Sequence, residues 1–378
     1  MKISKRSQID PFIVMDVMDQ ARNLEISGKS VIHMEVGQPS KGASKKSLLA
    51  VSEAMGVDPL GYTVSLGLPQ LRNGICDLYK KWYNLTLNPE RVIVTSGSSS
   101  AFILAFTSLF DVGSRVGVTE PGYPSYRQIL KSLSLNPIGL PTYKDSGHVP
   151  DLSMTDLDGL ILASPANPTG SVFPKETLSK LINECNERKI NFISDEIYHG
   201  LNYGDRCTSA LEITDDVYVI NSFSKYFSLT GWRVGWMIVP EAHIRIVEKL
   251  AQNLFICAPH VSQVAALGAL SSAASAEKLK IVYKKNRDIL LKALPELGLE
   301  LEAEPHGGFY IYVNVSSKLN DSLVLAKEIL NQVGVALTPG IDFDPSRGKQ
   351  TLRISYACNT PDIEEGIKRL RDYFSDRL

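Results

Sequence analysis

"VYVINSFSKYFSLTGWRVG", residues 217–235, decides how this chain folds. Its first five residues form an apolar run of strand length. A polar turn follows, with Ser222, Ser224 and Lys225 together and Arg233 eight residues beyond the lysine. Read singly, Lys225 is a solvated charge and Arg233 lies over an aromatic face. Read together, two hydroxyls and a guanidinium around one ammonium describe a pocket for a dianion such as a phosphate monoester. A lysine in such a pocket serves as a nucleophile when desolvation or a neighbouring cation lowers its pKa. The rest of the chain decides between the two readings.

The same unit, an apolar run followed by a polar loop, recurs upstream. The runs are "RVIVT" (91–95), "RVGVT" (115–119), "LILAS" (160–164) and "NFIS" (191–194). Amphipathic stretches lie between them, such as 175–188, where Leu178, Leu181, Ile182 and Cys185 share a face. Continuous Val/Ile/Leu strands alternating with helices predict an α/β fold with a mostly parallel, doubly wound sheet covered on both faces. In an open parallel sheet the C-terminal strand ends lie along one edge, where ligands bind. The loops at those ends are Ser96–Ser100, Glu120–Tyr123, Pro165–Gly170, Asp195–Tyr198 and Ser222–Lys225. Lys225 therefore stands where five polar loops converge.

Outside this region, Asp10-Pro11 predicts a helix start, a capping carboxylate followed by proline at the first helical position. Val14, Val17, Met18, Ala21 and Leu24 follow at helical spacing, and Gly28 can end the helix. "VIHMEVG" (31–37) reads as a strand. From about 241 the helices lengthen, and strands at 308–315 and 351–357 sit among helices near 322–333 and 361–376. The expected organisation is a large cofactor-binding domain over 41–270 and a smaller α/β domain over 271–378. The second is completed by an N-terminal arm over 1–40.

Composition removes several function classes. The 378 residues carry 44% hydrophobic and 21% charged residues and a net charge of −1. Nothing in that balance suggests a nucleic-acid or anionic-membrane partner. "MKISKRSQID" lacks the apolar core of a signal peptide, and no apolar run is long enough to span a bilayer; "VAALGALSSAASA" (264–276) comes nearest and reads as helix packing. The five cysteines are scattered, with no C-x-x-C pair, which fits reduced thiols in the cytoplasm. "NLEISGKS" (23–30) ends like a phosphate loop, but Asn23 stands where its first glycine belongs. No G-x-G-x-x-G, G-x-S-x-G or H-E-x-x-H is present, and the six histidines are too dispersed to suggest a metal.

The converging groups fit one ligand. Ser98 and Ser99 stand where a helix N-terminus favours a phosphate, and Ser222, Ser224 and Arg233 add donors. Tyr123 offers a face for an aromatic ring, and Asp195 favours a protonated ring nitrogen. Asn167 and Tyr198 can hydrogen-bond a ring oxygen, and Lys225 can condense with an aldehyde. A phosphorylated pyridine aldehyde is pyridoxal 5′-phosphate. Each residue also has an ordinary reading: Tyr123, Tyr198 and Trp232 as core aromatics, Asp195 as a helix cap, and Asn167–Gly170 as a turn. Tyr62 can be packing, Arg353 can pair with a structural carboxylate, and His199 reads as a supporting or surface residue.

In order along the chain, "EVGQPS", "YTVSLGLPQLR", "TSGSSSA", "EPGYPSY", "SPANPTG", "DEIYHGL", "SFSKYFSLTGWRVG" and "LRISYA" closely resemble fold-type I pyridoxal-phosphate enzymes of the class I/II aminotransferase family. The resemblance implies that Lys225 is the Schiff-base lysine, Asp195 the partner of the pyridine nitrogen, and Tyr198 and Asn167 the contacts to the ring oxygen. It implies ring stacking by Tyr123 and a phosphate cradle of Ser98, Ser99, Ser222, Ser224 and Arg233. Arg353 would grip the substrate α-carboxylate beside the backbone of Gly37. Tyr62 would reach the phosphate of a neighbouring subunit, making the active unit a homodimer. The implied activity is ping-pong transfer of an amino group between an L-amino acid and a 2-oxo acid, with Lys225 moving the Cα proton. The start of the chain looks most like bacterial aspartate and aromatic aminotransferases, although no second cation for a distal carboxylate is matched. Ala166 departs from the asparagine many relatives carry. A carbon–sulfur β-lyase on the same scaffold is the alternative, separated by release of pyruvate and ammonia from a cysteine conjugate. A cofactor-sensing regulator would need a DNA-binding segment, and no basic helix-turn-helix precedes residue 35. A nucleotide-binding protein would lack the cofactor's colour.

Overall fold

The structure is a computed structural model and describes residues 1–153, 155–318 and 321–375. A two-residue strand β1 (Ile32–His33) precedes the main sheet, whose seven strands are β2 (Val92–Thr95), β3 (Arg115–Glu120), β4 (Asn136–Pro141), β5 (Gly159–Ala163), β6 (Asn191–Asp195), β7 (Tyr218–Ser222) and β8 (Gly235–Ile238). They lie in the order β2-β8-β7-β6-β5-β3-β4. All neighbours are parallel except β8, which runs antiparallel to both β2 and β7.

Alternation along the strands builds two apolar layers, one on each face. Ile93, Val116, Val118, Ile161, Ile193 and Ile220 pack with helices α4 (Ser98–Leu109), α5 (Pro124–Ser132) and α7 (Ile244–Leu254). Val92, Val94, Leu160, Leu162, Phe192 and Val219 face the opposite way. There they meet α3 (Pro69–Tyr83) and α6 (Lys175–Glu187), with α2 (Lys45–Val57) and α8 (His260–Leu270) packed beyond. Among the described residues, no helix is long and apolar enough to cross a membrane.

A second sheet contains β9 (Glu300–Leu301), β10 (Tyr310–Asn314), β12 (Thr338–Pro339) and β13 (Thr351–Ser355), all pairs antiparallel. Helices α9 (Ala273–Leu297), α10 (Ser322–Val333) and α11 (Thr360–Ser375) accompany it. β1 pairs in parallel with β11 (Val335–Ala336), so a segment from the start of the chain closes against one near its end.

Two readings of the sequence change. The first helix α1 covers Ile13–Ile26, and Asp10 does not cap it. Asp10 instead pairs with Lys131 at 2.9 Å and accepts from Gln128. The cap comes from Asp342, whose carboxylate accepts the amides of Ile13 and Val14 at 3.3 Å each. The 31–37 strand shrinks to Ile32–His33, because beyond it the backbone turns inward to support a buried arginine.

Candidate active site

The cavity sits at the C-terminal ends of the parallel strands. After β2 the chain turns through Gly97 at φ +78° into α4. A Cβ at Gly97 would collide with the Arg233 guanidinium, so glycine is what lets the two segments approach. Ser98 and Ser99 form the first turn of α4, where the amides have no intrahelical acceptor, and both line the cavity. Arg233 adopts a left-handed φ of +52°, and its Nη1 donates to the Thr230 carbonyl at 3.0 Å. Ser224 lines the same wall. Ser222 stands one layer behind: its Oγ accepts the Ser224 amide at 3.1 Å and lies 2.8 Å from the Ser224 hydroxyl. This end of the cavity offers hydroxyls, free amides and a guanidinium, the donor set of a phosphate site.

At the opposite end, β6 presents buried Asp195. Its Oδ1 accepts the Ile197 amide at 3.0 Å, and its Oδ2 accepts a very short hydrogen bond from the Tyr126 hydroxyl. Desolvation pushes the carboxyl up to about 6, against the pull of Tyr126, Ile197 and the Lys225 charge. A cation brought against it would reverse that shift. The Tyr123 ring borders the cavity with Tyr126 edge-on at 5.2 Å and Phe12 edge-on at 5.9 Å. Tyr198, three residues past Asp195, places its hydroxyl 3.0 Å from that of Tyr310 on β10.

Lys225 lies between these ends. Its Nζ donates to the Gly37 carbonyl at 2.7 Å, with the Tyr198 and Phe309 rings just under 6 Å away. Desolvation pushes its pKa down to about 8; Arg353 and Arg233 add to the fall, and Asp195 opposes it. Arg353 rises from β13 and is only 2% exposed. Its Nη1 donates to Asn167 Oδ1 at 3.0 Å, and its Nη2 to the Glu35 carbonyl and, at 3.2 Å, to Thr338 Oγ1. The guanidinium covers the Tyr310 ring at 4.2 Å and the Phe343 ring at 4.7 Å. Its Nε is buried without a hydrogen-bond partner. Such a donor is costly to leave unpaired and invites an anion. Gly37 has no room for a side chain, since a Cβ would strike the Tyr310 hydroxyl.

Thus Gly37, Asn167 and Arg353, read as substrate contacts, share one cavity with Ser98, Ser99, Tyr123, Asp195, Tyr198, Ser224, Lys225 and Arg233. Tyr62 is not among its walls; the residue is 85% exposed on the surface of the chain. His199 lies apart, buried, donating from Nε2 to the Ser164 carbonyl and accepting the Tyr83 hydroxyl at Nδ1. Burial pushes its pKa down to about 4, so it is a neutral structural histidine. Tyr126, Tyr310, Thr230, Phe12 and Met15 belong to the cavity but escaped the sequence reading. Tyr126 had a weak signal, lying in the first turn of the helix that starts just after Tyr123. Tyr310 had none, since burial on a strand is the default for a tyrosine in "GFYIYVNV".

These residues fit pyridoxal 5′-phosphate. The cradle at Gly97 and the buried carboxylate of Asp195 answer its phosphate and its cationic ring nitrogen, and the orphaned Arg353 Nε is left for the carboxylate of a substrate. The family model for aminotransferase class I and II matches residues 29–370. The chain is 39% identical to a valine–pyruvate aminotransferase of Mycobacterium tuberculosis, over 98% of this chain and 97% of that one. A crystal structure of an aminotransferase from Mycobacterium tuberculosis superposes with a TM-score of 0.97 at 38% identity, covering 100% of both chains. A solved chain from Silicibacter pomeroyi gives 0.95 at 52% identity, again over 100% of both. With a matching family model over most of its length and relatives that share its whole span, this chain belongs to the class I and II aminotransferases and is a pyridoxal-phosphate-dependent transaminase.

Proposed function

We propose that Lys225 is the residue that carries the Cα proton of an L-amino acid during transfer of its amino group to a 2-oxo acid. Pyridoxal 5′-phosphate, when bound, supplies a reactive aldehyde carbon and a ring that accepts electrons. The first-turn amides of Ser98 and Ser99, the Ser224 hydroxyl and the Arg233 guanidinium hold the phosphate, with Ser222 fixing Ser224. Asp195 keeps the ring nitrogen protonated, Tyr123 covers the ring face, and Tyr198 and Asn167 bond the ring oxygen. Arg353 receives the substrate α-carboxylate on its free Nε edge, while Glu35, Thr338 and Asn167 stop the guanidinium from turning. The Gly37 backbone borders that carboxylate. Lys225 is an amine of moderated basicity, suited to taking a proton at one carbon and giving it back at another.

The observation that carries this reading is the placement of the Lys225 Nζ, held at 2.7 Å by the Gly37 carbonyl, inside the cavity that also holds Arg233, Arg353 and Asp195. Lys225→Ala, loaded with cofactor, is expected to lose amino transfer by several orders of magnitude. Borohydride treatment should then leave no cofactor mass on the peptide that carries position 225, in contrast to the native chain. Substantial turnover in the variant would count against the assignment. No observation favours a β-lyase.

The active unit is read as a homodimer in which Tyr62 reaches the neighbouring phosphate. The surface around it supports this: Leu48, Leu49, Met55, Val57 and Val64 are exposed on α2 and the segment after it. An apolar patch of that kind marks an interaction site. A cytoplasmic location is supported by five free cysteines. The domain division at about residues 40 and 270 is retained as a proposal, supported by the separate main and second sheets.

A further inference from the structure

Asn167 sits in a loop that begins at Ser164, and its Oδ1 accepts from Arg353. Across this loop the Ala166 amide donates to the Ser171 carbonyl at 2.9 Å, and the Gly170 amide to the Ala166 carbonyl at 2.8 Å. Ser164 is where the loop is fastened. Its amide donates to the Asp195 carbonyl at 3.3 Å, and its hydroxyl accepts the Phe173 amide at 3.0 Å. Its carbonyl accepts from His199 Nε2 at 2.8 Å. A carbonyl only accepts, so Nε2 carries the proton and Nδ1 must find a donor. The Tyr83 hydroxyl, on the last residue of α3, supplies one at 2.6 Å. Ser164, Asn167, His199 and Tyr83 are all buried within the one chain.

His199 stands directly after Tyr198 in the chain. It therefore joins two segments, one that presents Tyr198 and one that presents Asn167. In the reading proposed above, on which this step rests, those two residues bond the same ring oxygen. Arg353 occupies Asn167 Oδ1, which leaves the Nδ2 donor for that oxygen. The imidazole must stay neutral for this arrangement, since a proton on Nδ1 would remove the acceptor for Tyr83. The Glu196 carboxyl, 3.4 Å from Nδ1, is pushed up to about 8 by burial, so near neutral pH it is mostly uncharged and draws no proton onto the ring. Glu212 and Arg206, the charges beyond it, act on His199 in opposite senses. We propose that His199 is a positioning residue: by holding the Ser164 carbonyl it sets Asn167 against Tyr198, and so aims the Asn167 amide at the ring oxygen of the cofactor.

The test follows the visible band of the holoenzyme against pH. A donor on the ring oxygen favours its anionic form, so losing that donor raises the midpoint of the band. Full loss of a hydrogen bond to a charged oxygen corresponds to about one to two pH units. His199→Asn keeps an acceptor for Tyr83 but is too short for Ser164, and it should raise the midpoint by about 0.5 unit or more. His199→Gln reaches Ser164 and should stay within about 0.2 unit of the native chain. In an Asn167→Ala background, where the midpoint is already raised, His199→Asn should add less than about 0.2 unit, because both changes act on one bond. If His199→Asn does not fold, Tyr83→Phe, which frees the imidazole at Nδ1, should raise the midpoint in the same direction. A native midpoint in whichever variant folds, failure of His199→Gln to restore it, or an undiminished second shift in the Asn167→Ala background would overturn the proposal. A native midpoint in Asn167→Ala would also remove the contact given to Asn167. A shift there with none in His199→Asn would leave that contact standing and sink the positioning role alone.

Discussion

At Lys225 the ammonium loses most of its water and receives one carbonyl, that of Gly37, in exchange. Burial is the largest cause of its depressed pKa, with Arg353 next and Arg233 after it. In the cofactor-free protein, the rate at which Lys225 is trapped by an added aldehyde should therefore rise with pH through a midpoint near 8. Arg353→Gln removes a neighbouring cation, and the midpoint should move up; a fixed or lowered midpoint would show that the guanidinium does not act on the amine. Asp195 poses the complementary case. Tyr126 supplies one of its two hydrogen bonds, and a bond to a charged group is worth about 1.5–3 kcal/mol. Tyr126→Phe should weaken cofactor binding about tenfold or more, measured by quenching of protein fluorescence. Affinity equal to that of the native chain would exclude Tyr126 from the grip on the ring nitrogen. The polar residues at strand ends were legible in the sequence because their positions follow from the strands alone. Tyr126 and Tyr310 were not, because a buried tyrosine looks the same whether its hydroxyl meets a carboxylate, another hydroxyl or nothing.

The turn from β2 into α4 is where an element's geometry becomes a binding property. Gly97 combines a positive φ with the close approach of Arg233. Gly97→Ala meets both obstacles, so Arg233 must move and the first turn of α4 must shift. Cofactor affinity of the apoprotein, measured by calorimetry, should fall by about tenfold or more; an unchanged value would mean that the cradle is not formed there. Other elements were legible to different degrees. The strands at 115–120, 159–163 and 191–195 appeared almost at their observed bounds, as short apolar runs whose central residues are buried on both faces. β4 stayed hidden because Pro137 and Pro141 argue against a central strand; it lies at the edge of the sheet, where a missing amide donor is tolerated. β8 stayed hidden because "GWMI" follows the Arg233 turn with no break in its aromatic character. An alternating pattern cannot distinguish a parallel from an antiparallel neighbour.

Over the whole molecule, the two ends of the chain hold each other. His33 on β1 donates to Glu35 Oε1 at 2.8 Å and to Glu25 Oε1 at 3.2 Å, while β1 itself pairs with β11. The hydrogen bond to Glu35 is the largest cause that raises the pKa of His33, to about 9, despite partial burial. Because the folded value exceeds the unfolded one near 6.5, this pair stabilises fully below that pH, and the contribution is lost as pH rises through about 9. With 35% of the side chain exposed to solvent, screening reduces it to about 1 kcal/mol. Urea unfolding should therefore separate the native chain from His33→Gln at pH 6 and bring the two together above pH 9.5; a constant gap would remove His33 from the balance. The broad plan, a mostly parallel sheet with a second α/β assembly, was legible from the order of elements. The closure of residue 13 onto residue 342 was not, because nothing local in either segment marks the other. That closure has a consequence for synthesis. A nascent chain can build the main sheet before Asp342 is made, because all seven of its strands precede that residue. Until then the first turn of α1 lacks the carboxylate that caps it, so a partly made chain presents its vitamin B6 cleft with that border unfastened.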